Sequence, residues 1–267
     1  MARKKVAASK AQFLLSTDTL SGYGLDLIFD TAKALNFDGI DLAMWKNFDS
    51  WHIDYVLDLV DKYDMPVKVV QISEKANIKE MNQAVDLGKE LWAEVITINA
   101  PSIMNIQSYR FLKGNLPSYK AHNKSVKFSI INPEDKNFFW VIPKYYFSSI
   151  VEIIKKYRMY LALDVANVEE DVLDYQFMKK MPNFIPYLSV VYLSDVGKWG
   201  QRHLPLGDGV YKIPTLLKKF KQNEYDGFFS LKLNISKKDL SDIDKVKVIL
   251  KKCRMYYKEN YEQVKLG

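Results

Sequence analysis

Residues 66–101 read PVKVVQISEKANIKEMNQAVDLGKELWAEVITINAP. The stretch opens on an apolar run, PVKVVQIS (66–73), continues through NIKEMNQAVDLGKELWA (77–93), and ends on a second apolar run, EVITINAP (94–101). Short β-branched runs of this kind predict strands, and the longer mixed stretch between them predicts a helix. Strand, helix and strand make one β-α-β unit, whose right-handed crossover leaves its two strands parallel.

The same alternation extends in both directions. Upstream, QFLLST (12–17) and DGIDLAM (38–44) predict strands. LDLIFDTAKALN (25–36), with Leu25, Ile28, Phe29, Ala32 and Leu35 on one face, and WHIDYVLDLVDKYD (51–64) predict helices. Downstream, IQSYRFLKGNLPSYKAHN (106–123) predicts a helix interrupted by Gly114 and Pro117. VKFSIINP (126–133) is a fifth strand, EDKNFFWVIP (134–143) an aromatic loop, KYYFSSIVEIIKKYR (144–158) a helix and MYLALDVAN (159–167) a sixth strand. A helix within 168–181 gives way to NFIPYLSVVYLSDV (183–196), read as the seventh strand. The Gly-rich loop GKWGQRHLPLGDG (197–209) leads to a helix, IPTLLKKFKQNEY (213–225), with Pro214 in its first turn. DGFFSLKLN (226–234) is the eighth strand, and DLSDIDKVKVILKKCRMYYKENYEQV (239–264) a final helix capped by Asp239 or Ser241.

Eight strands alternating with helices over 267 residues predict an α/β chain folded as a single-domain (β/α)8 TIM barrel. The barrel spans about 12–235, with a C-terminal helix at about 239–264. An open doubly wound sheet would alternate too, but no G-x-G-x-x-G follows the first strand and no P-loop is present.

Hydrophobic residues make up 48% of the chain, enough for a large core, and no segment is low-complexity. The net charge of +7 lies largely in MARKK at the start and KVKVILKKCRMYYKENYEQVK at the end. These read as solvated, Lys-rich surface, with attraction of phosphates as the alternative. Cys253 is the only cysteine, so no intrachain disulfide forms and a cytoplasmic location is expected. The first residues lack an apolar signal core, and no apolar run approaches the ~20 residues that span a bilayer, so no membrane partner is expected.

In such a barrel, function belongs at the C-terminal ends of the strands. The polar residues there are Ser16, Thr17, Asp41, Gln71, Asn99, Asn132, Asp164, Asn167, Tyr192, Asp195 and Lys232. The set is rich in amides and lacks histidine. Lys232 is its oddity, an ammonium between Leu231 and Leu233 at the end of a strand.

These positions resemble the xylose-isomerase-like TIM-barrel superfamily, which includes sugar isomerases and epimerases, inosose dehydratases and the endonuclease IV class of apurinic endonucleases. ALNFDGIDL resembles that family's G-[FY]-x-G-[IV]-E-L, LALDVAN its L-x-x-D-x-x-H, and VVYLSDV its V-x-H-[LI]-K-D. The segment HLPLGDGVYKIPTLLKKFKQNEYDGFFSLKL resembles the family's P-[LI]-G-x-G turn, following helix and final strand. The resemblance implies a divalent metal held by Glu, Asp, His and Glu on strands five to eight. Carried across, those positions fall on Ile131, Asp164, Tyr192 and Lys232, and the histidine three residues after Asp164 becomes Asn167. Only Asp164 keeps its place. One carboxylate cannot offset the dehydration of a divalent ion, and the Lys232 ammonium would repel it by on the order of several kcal/mol at an effective dielectric near 20. The expectation is therefore a degenerate site with no metal and no other cofactor.

Three readings follow. In the first, Lys232 replaces the metal, pairs with Asp164 and binds a sugar-like or phosphorylated small molecule, as an isomerase or epimerase if the site turns over. Asp164 and Tyr192 then serve as acid or base. Asp41, Gln71, Asn99, Asn132, Asn167 and Asp195 read the ligand, and Lys198, Arg202 and His203 reach a phosphate. Schiff-base chemistry at Lys232 is disfavoured, because Asp164 would keep the amine protonated. In the second reading the barrel is a scaffold or interaction module with Lys232–Asp164 as an internal ion pair. In the third it binds nucleic acid without metal-dependent cleavage. Phe138, Phe139, Trp140 and Trp199 are expected over the mouth, as a lid or packed on one another. His52 and His122 are read as surface residues.

Overall fold

Side chains alternate between the two faces of every strand, and that alternation builds the molecule from the inside out. The computed structural model describes residues 11–101, 106–133 and 147–266. The strands are β1 (Gln12–Ser16), β2 (Gly39–Ala43), β3 (Val67–Gln71), β4 (Val95–Asn99), β5 (Lys127–Ile131), β6 (Tyr160–Asp164), β7 (Leu188–Leu193) and β8 (Phe228–Leu231). They pair in parallel and in chain order, and β8 returns to β1 to close the ring. The chain is thus a (β/α)8 barrel. The helices are α1 (Leu25–Ala34), α2 (Ile53–Tyr63), α3 (Ile78–Glu90), α4 (Ile106–Gly114), α5 (Leu116–His122), α6 (Phe147–Tyr157), α7 (Met181–Phe184), α8 (Ile213–Gln222), α9 (Lys237–Leu240) and α10 (Ile243–Tyr257).

Leu14, Val69, Val95, Ile131, Ala162, Val190, Tyr192 and Phe228 form one buried cluster, the plug inside the ring. Their neighbours in sequence, such as Phe13, Leu15, Leu161, Leu163, Val191 and Phe229, belong to the second core between ring and helices. Two steps along from the plug on five of the strands lie Ser16, Gln71, Thr97, Asp164 and Ser230, all buried. The inner face therefore changes from apolar to polar towards the C-terminal end, which builds a site on a solid floor.

Several element boundaries differ from the sequence expectation. NFIPY does not extend β7: Met181–Phe184 is helical and Ile185–Tyr187 is a 3₁₀ turn. Pro182 and Pro186 sit in the first turns of these elements, where a missing N–H costs nothing. The stretch before them, Val172–Phe177, is a wide π turn. The final helix is not continuous. Ser236 accepts a hydrogen bond from the Asp239 N–H to cap α9, and Asp242 accepts from Asp244 and Lys245 to cap α10. Asp239 and Ser241 are consequently not the caps. β8 ends at Leu231, so Lys232 stands just beyond it. Gly114 and Pro117 do break the fourth helical region, into α4 and α5. The aromatic loop 134–143 lies outside the described residues.

One device recurs at the N-terminal rim. Asn36, Asp64, Trp92, Arg158 and Glu224 have φ between 46° and 58° and follow α1, α2, α3, α6 and α8. In each case the next residue donates its N–H back across the last turn: Phe37 to Ala32, Met65 to Val60, Ala93 to Gly88, Met159 to Ile154 and Tyr225 to Phe220. Each of those next residues is buried and apolar. This is the Schellman stop, with its hydrophobic contact, made without glycine.

The seam between the first and last strands is sealed by aromatic rings. Tyr257 of α10 stacks on Phe13 of β1 at 4.1 Å between centroids, and Phe229 of β8 meets Tyr257 edge-on at 5.5 Å and Tyr261 at 5.0 Å. Such pairs add to the burial of the rings themselves.

Candidate functional site

β6 and β8 end on opposite charges. Lys232 Nζ lies 3.3 Å from Asp164 Oδ2, and the Asp164 side chain is fully buried. The ammonium also sits over the face of the Tyr192 ring, 5.0 Å from its centroid. Burial alone would lower the Lys232 pKa. Asp164, with Asp18 and Asp41, outweighs it and raises the value above that of an ordinary lysine. Lys232 is thus a fixed cation, not an amine nucleophile.

Tyr192 is placed as a support. Its hydroxyl pairs with Thr97 Oγ1 at 3.0 Å, the residue is fully buried, and burial pushes the phenol well above its usual range. It holds Lys232 from beneath and does not line the mouth, so the expected acid or base role does not follow from its position.

A second buried cluster lies on the β1–β3 side. Asp41 Oδ2 accepts hydrogen bonds from Ser230 Oγ at 2.6 Å and Gln71 Nε2 at 2.9 Å, and Gln71 Nε2 also reaches Ser16 Oγ at 2.9 Å. Asp41 Oδ1 is buried with no hydrogen-bond partner. Burial raises the Asp41 pKa to about 7, and the Ser230 and Gln71 hydrogen bonds hold back a larger rise.

The amides divide by role. Gln71 and Asn99 line the larger cavity, although Asn99 also donates to the Ile72 carbonyl at 3.1 Å. Asn132 is committed to the backbone: it donates to the Asp164 carbonyl at 3.1 Å and accepts from the Asp164 N–H at 2.6 Å. Asn167 donates to the Asn132 carbonyl at 3.0 Å and accepts from Arg202 at 3.4 Å. This lacing aims the Asp164 carboxylate; it is not a row of ligand readers.

Asp195 likewise serves the loop after β7. Its carboxylate accepts from the N–H groups of Val196, Gly207 and Tyr211 at 2.8, 3.1 and 3.1 Å. Gly207 has φ +85°, and a Cβ on Gly209 would lie 2.3 Å from Asp195 Oδ1, so the glycines of PLGDG permit this latch. Lys198 and Trp199 turn outwards, with Trp199 82% exposed, and neither joins the cavities described next.

Two cavities open at the mouth. One of about 570 Å³ is lined by Trp45, Gln71, Ser73 and Asn99 among others, with Ile131 on its floor. The other, of about 420 Å³, is lined by Thr19, Ser21, His203 and Asn234 among others. Asp18, Lys46 and Lys232 line both. Lys46 and Asp18 form an ion pair at 3.1 Å. His203 Nδ1 lies 3.1 Å from Ser194 Oγ, and burial lowers its pKa, so the imidazole is neutral near pH 7. Asp18, Trp45 and Lys46 escaped the sequence reading, which looked for aromatics in later loops. Their signal was position alone: each follows a predicted strand within a few residues, in TDT and MWK.

At the four positions implied for a metal, the chain offers Ile131, Asp164, Tyr192 and Lys232. Ile131 and Tyr192 belong to the apolar plug, and the remaining carboxylate is held by an ammonium. A divalent ion of the family type needs several oxygen or imidazole donors, and this set does not fit it. Among the described residues, no group of three or more His, Cys, Asp or Glu is placed to hold a metal.

The fold has close counterparts. It superposes on L-ribulose 3-epimerase with a TM-score of 0.70 at 13% identity, covering 95% of each chain. D-Allulose 3-epimerase from Methylomonas sp. matches with a TM-score of 0.68 at 13% identity, over 94% of this chain and 98% of that one. A family 2 AP endonuclease from Brucella melitensis gives 0.65 at 13% identity, over 88% and 97%. In sequence, the uncharacterized protein MJ1311 of Methanocaldococcus jannaschii is 23% identical over 242 residues, 77% of this chain and 80% of its own. No family model matches. The barrel therefore shares its fold with proteins named as sugar epimerases and with one named as an AP endonuclease.

Proposed function

We propose that the mouth of this barrel binds a sugar-like or phosphorylated small molecule through the Lys232 ammonium, in place of a divalent metal. The observation that carries the reading is the setting of Lys232: held by Asp164 and Tyr192, it still reaches the lining of both cavities. An ammonium offers donors to hydroxyl, carbonyl or phosphate oxygen. Gln71, Asn99, Ser73 and Asn234 supply neutral hydrogen-bonding groups around it. The epimerase names of the structural neighbours point to the same class of ligand. Turnover would be an isomerase- or epimerase-like proton transfer, with Lys232 polarising an oxygen and neutral His203 exchanging the proton.

Thermal shifts with monosaccharides, sugar phosphates and abasic DNA test this reading. A saccharide or sugar phosphate should raise Tm, and Lys232→Met should remove the shift. Salt-sensitive DNA binding without any small-molecule shift would favour a nucleic-acid role instead. No shift with any of them would leave a scaffold. Near-stoichiometric Mn, Zn or Co in protein purified without chelators would sink the metal-free part of the proposal.

A further inference from the structure

The two cavities lie on either side of three shared residues, Asp18, Lys46 and Lys232. At about 570 and 420 Å³, each falls within the ~300–1,000 Å³ of an ordinary small-molecule site. A ligand confined to one of them would leave a second cavity beside it unused.

The charges at the junction are already matched. Lys232 is paired with Asp164 at 3.3 Å and Lys46 with Asp18 at 3.1 Å, while Asp41 adds a further buried carboxyl nearby. An incoming phosphate would meet two cations whose charge is spent and would lie near three acidic groups. Hydroxyls, in contrast, can donate to carboxylates and accept from ammonium groups without adding charge.

The walls carry a second, independent observation. Trp45 and His203 have φ of 68° and 58°, the left-handed region that a bulky residue such as Trp avoids and His enters more readily. Neither stops a helix. Trp45 lines the larger cavity and His203 the smaller. Backbone strain retained at cavity walls marks side chains held for contact. Trp45 is braced edge-on by Trp51 at 4.2 Å, so its indole is a fixed apolar surface of the kind on which the carbon face of a sugar ring can lie.

We infer that the ligand is an uncharged carbohydrate of two rings, one in each cavity, with the linkage crossing over Lys232 and the Asp18–Lys46 pair. This rests on the small-molecule reading above and narrows it from sugar-like or phosphorylated compounds to neutral disaccharides and glycosides. Trp45, Gln71 and Asn99 would take one ring, and Ser21, Asn234 and His203 the other.

Calorimetric titration of the full chain with glucose, glucose 6-phosphate, cellobiose, maltose and trehalose tests it. The expected result is that at least one disaccharide binds roughly tenfold tighter than glucose, and that the phosphate gives no gain. Ser21→Trp, at an exposed position on the rim of the smaller cavity, should bring that disaccharide down to the affinity of glucose. If glucose binds and no disaccharide exceeds it, or the gain survives in Ser21→Trp, the two-ring inference falls while the Lys232 reading stands. If glucose 6-phosphate binds tightest, the ligand is anionic and the inference falls in the same way. If neither saccharide nor phosphate binds, both readings fall.

Discussion

At the lower rim, Asn36, Asp64, Trp92, Arg158 and Glu224 turn left-handed to stop a helix; at the upper rim, Trp45 and His203 turn left-handed against a cavity. The lower five share one compensation, a backward hydrogen bond from the next residue and burial of that residue's apolar side chain. The upper two sit where the chain leaves β2 and in the loop after β7, among charged and polar neighbours. The same backbone state is a joint at one end and a mount for a side chain at the other. Under the proposed binding mode, stability and recognition are separated along the barrel axis, as expected for this architecture.

That separation can be broken hardest at the bottom. Phe229 is fully buried and meets the rings of Phe220, Tyr225, Tyr257 and Tyr261. Phe229→Ala should cost about 4 kcal/mol in denaturant unfolding. An unchanged midpoint would show that the lower rim is not where stability resides. At the top, Lys232→Met should cost about 3 kcal/mol, because it strands the buried Asp164 carboxylate. The double change Asp164→Asn with Lys232→Met should recover most of that loss. No recovery would mean that the cost lies in packing on Tyr192 rather than in the ion pair.

pH offers a milder probe of the upper half. Burial raises the Asp41 pKa in the folded protein to about 7, above the ordinary carboxylate value of about 3.9, so between these values the folded protein binds the extra proton. Its contribution is fully present below the lower value and is lost as pH rises through the upper one. Asp41→Asn should therefore flatten the fall in stability towards pH 8, gaining on the order of 2 kcal/mol there. Equal pH slopes for the two proteins would refute this. The smallest effect is expected at Trp92, which is 86% exposed. Trp92→Gly should relieve the left-handed strain and stabilise by about 0.5 kcal/mol, the greater freedom of the unfolded chain offsetting part of the gain. A loss of stability would mean that the exposed indole packs on something after all.

The sequence made the ring legible because parallel strands buried on both faces read as continuous apolar runs, as in VKVV and VITI. It failed where proline begins a turn beside such a run, as at NFIPY, since apolar character alone does not separate a strand from a short helix. It also showed no glycine at five of the helix ends, so the usual stop signal was missing there. For the site, the ends of the strands were legible but the roles were not. Asp164 and Asp195 look alike in sequence, each just past an apolar strand. One closes β6 on the inner face opposite Lys232, while the other lies two residues beyond β7 and is taken up by three backbone N–H groups. That distinction depends on where the strand stops, the part of an element that local pattern defines least.

The aromatic seam has a consequence for how the protein is made. Phe13 is synthesised well before its stacking partner Tyr257. Pairing of β1 with β8 spans almost the whole sequence and is the costliest loop to close. During translation the nascent ring must stay open, with the free edges of β1 and its growing neighbours exposed, until α10 has left the ribosome. A nascent chain arrested before α10 emerges is expected to be protease-sensitive throughout, and release of the last helix should protect β1 and β8 together.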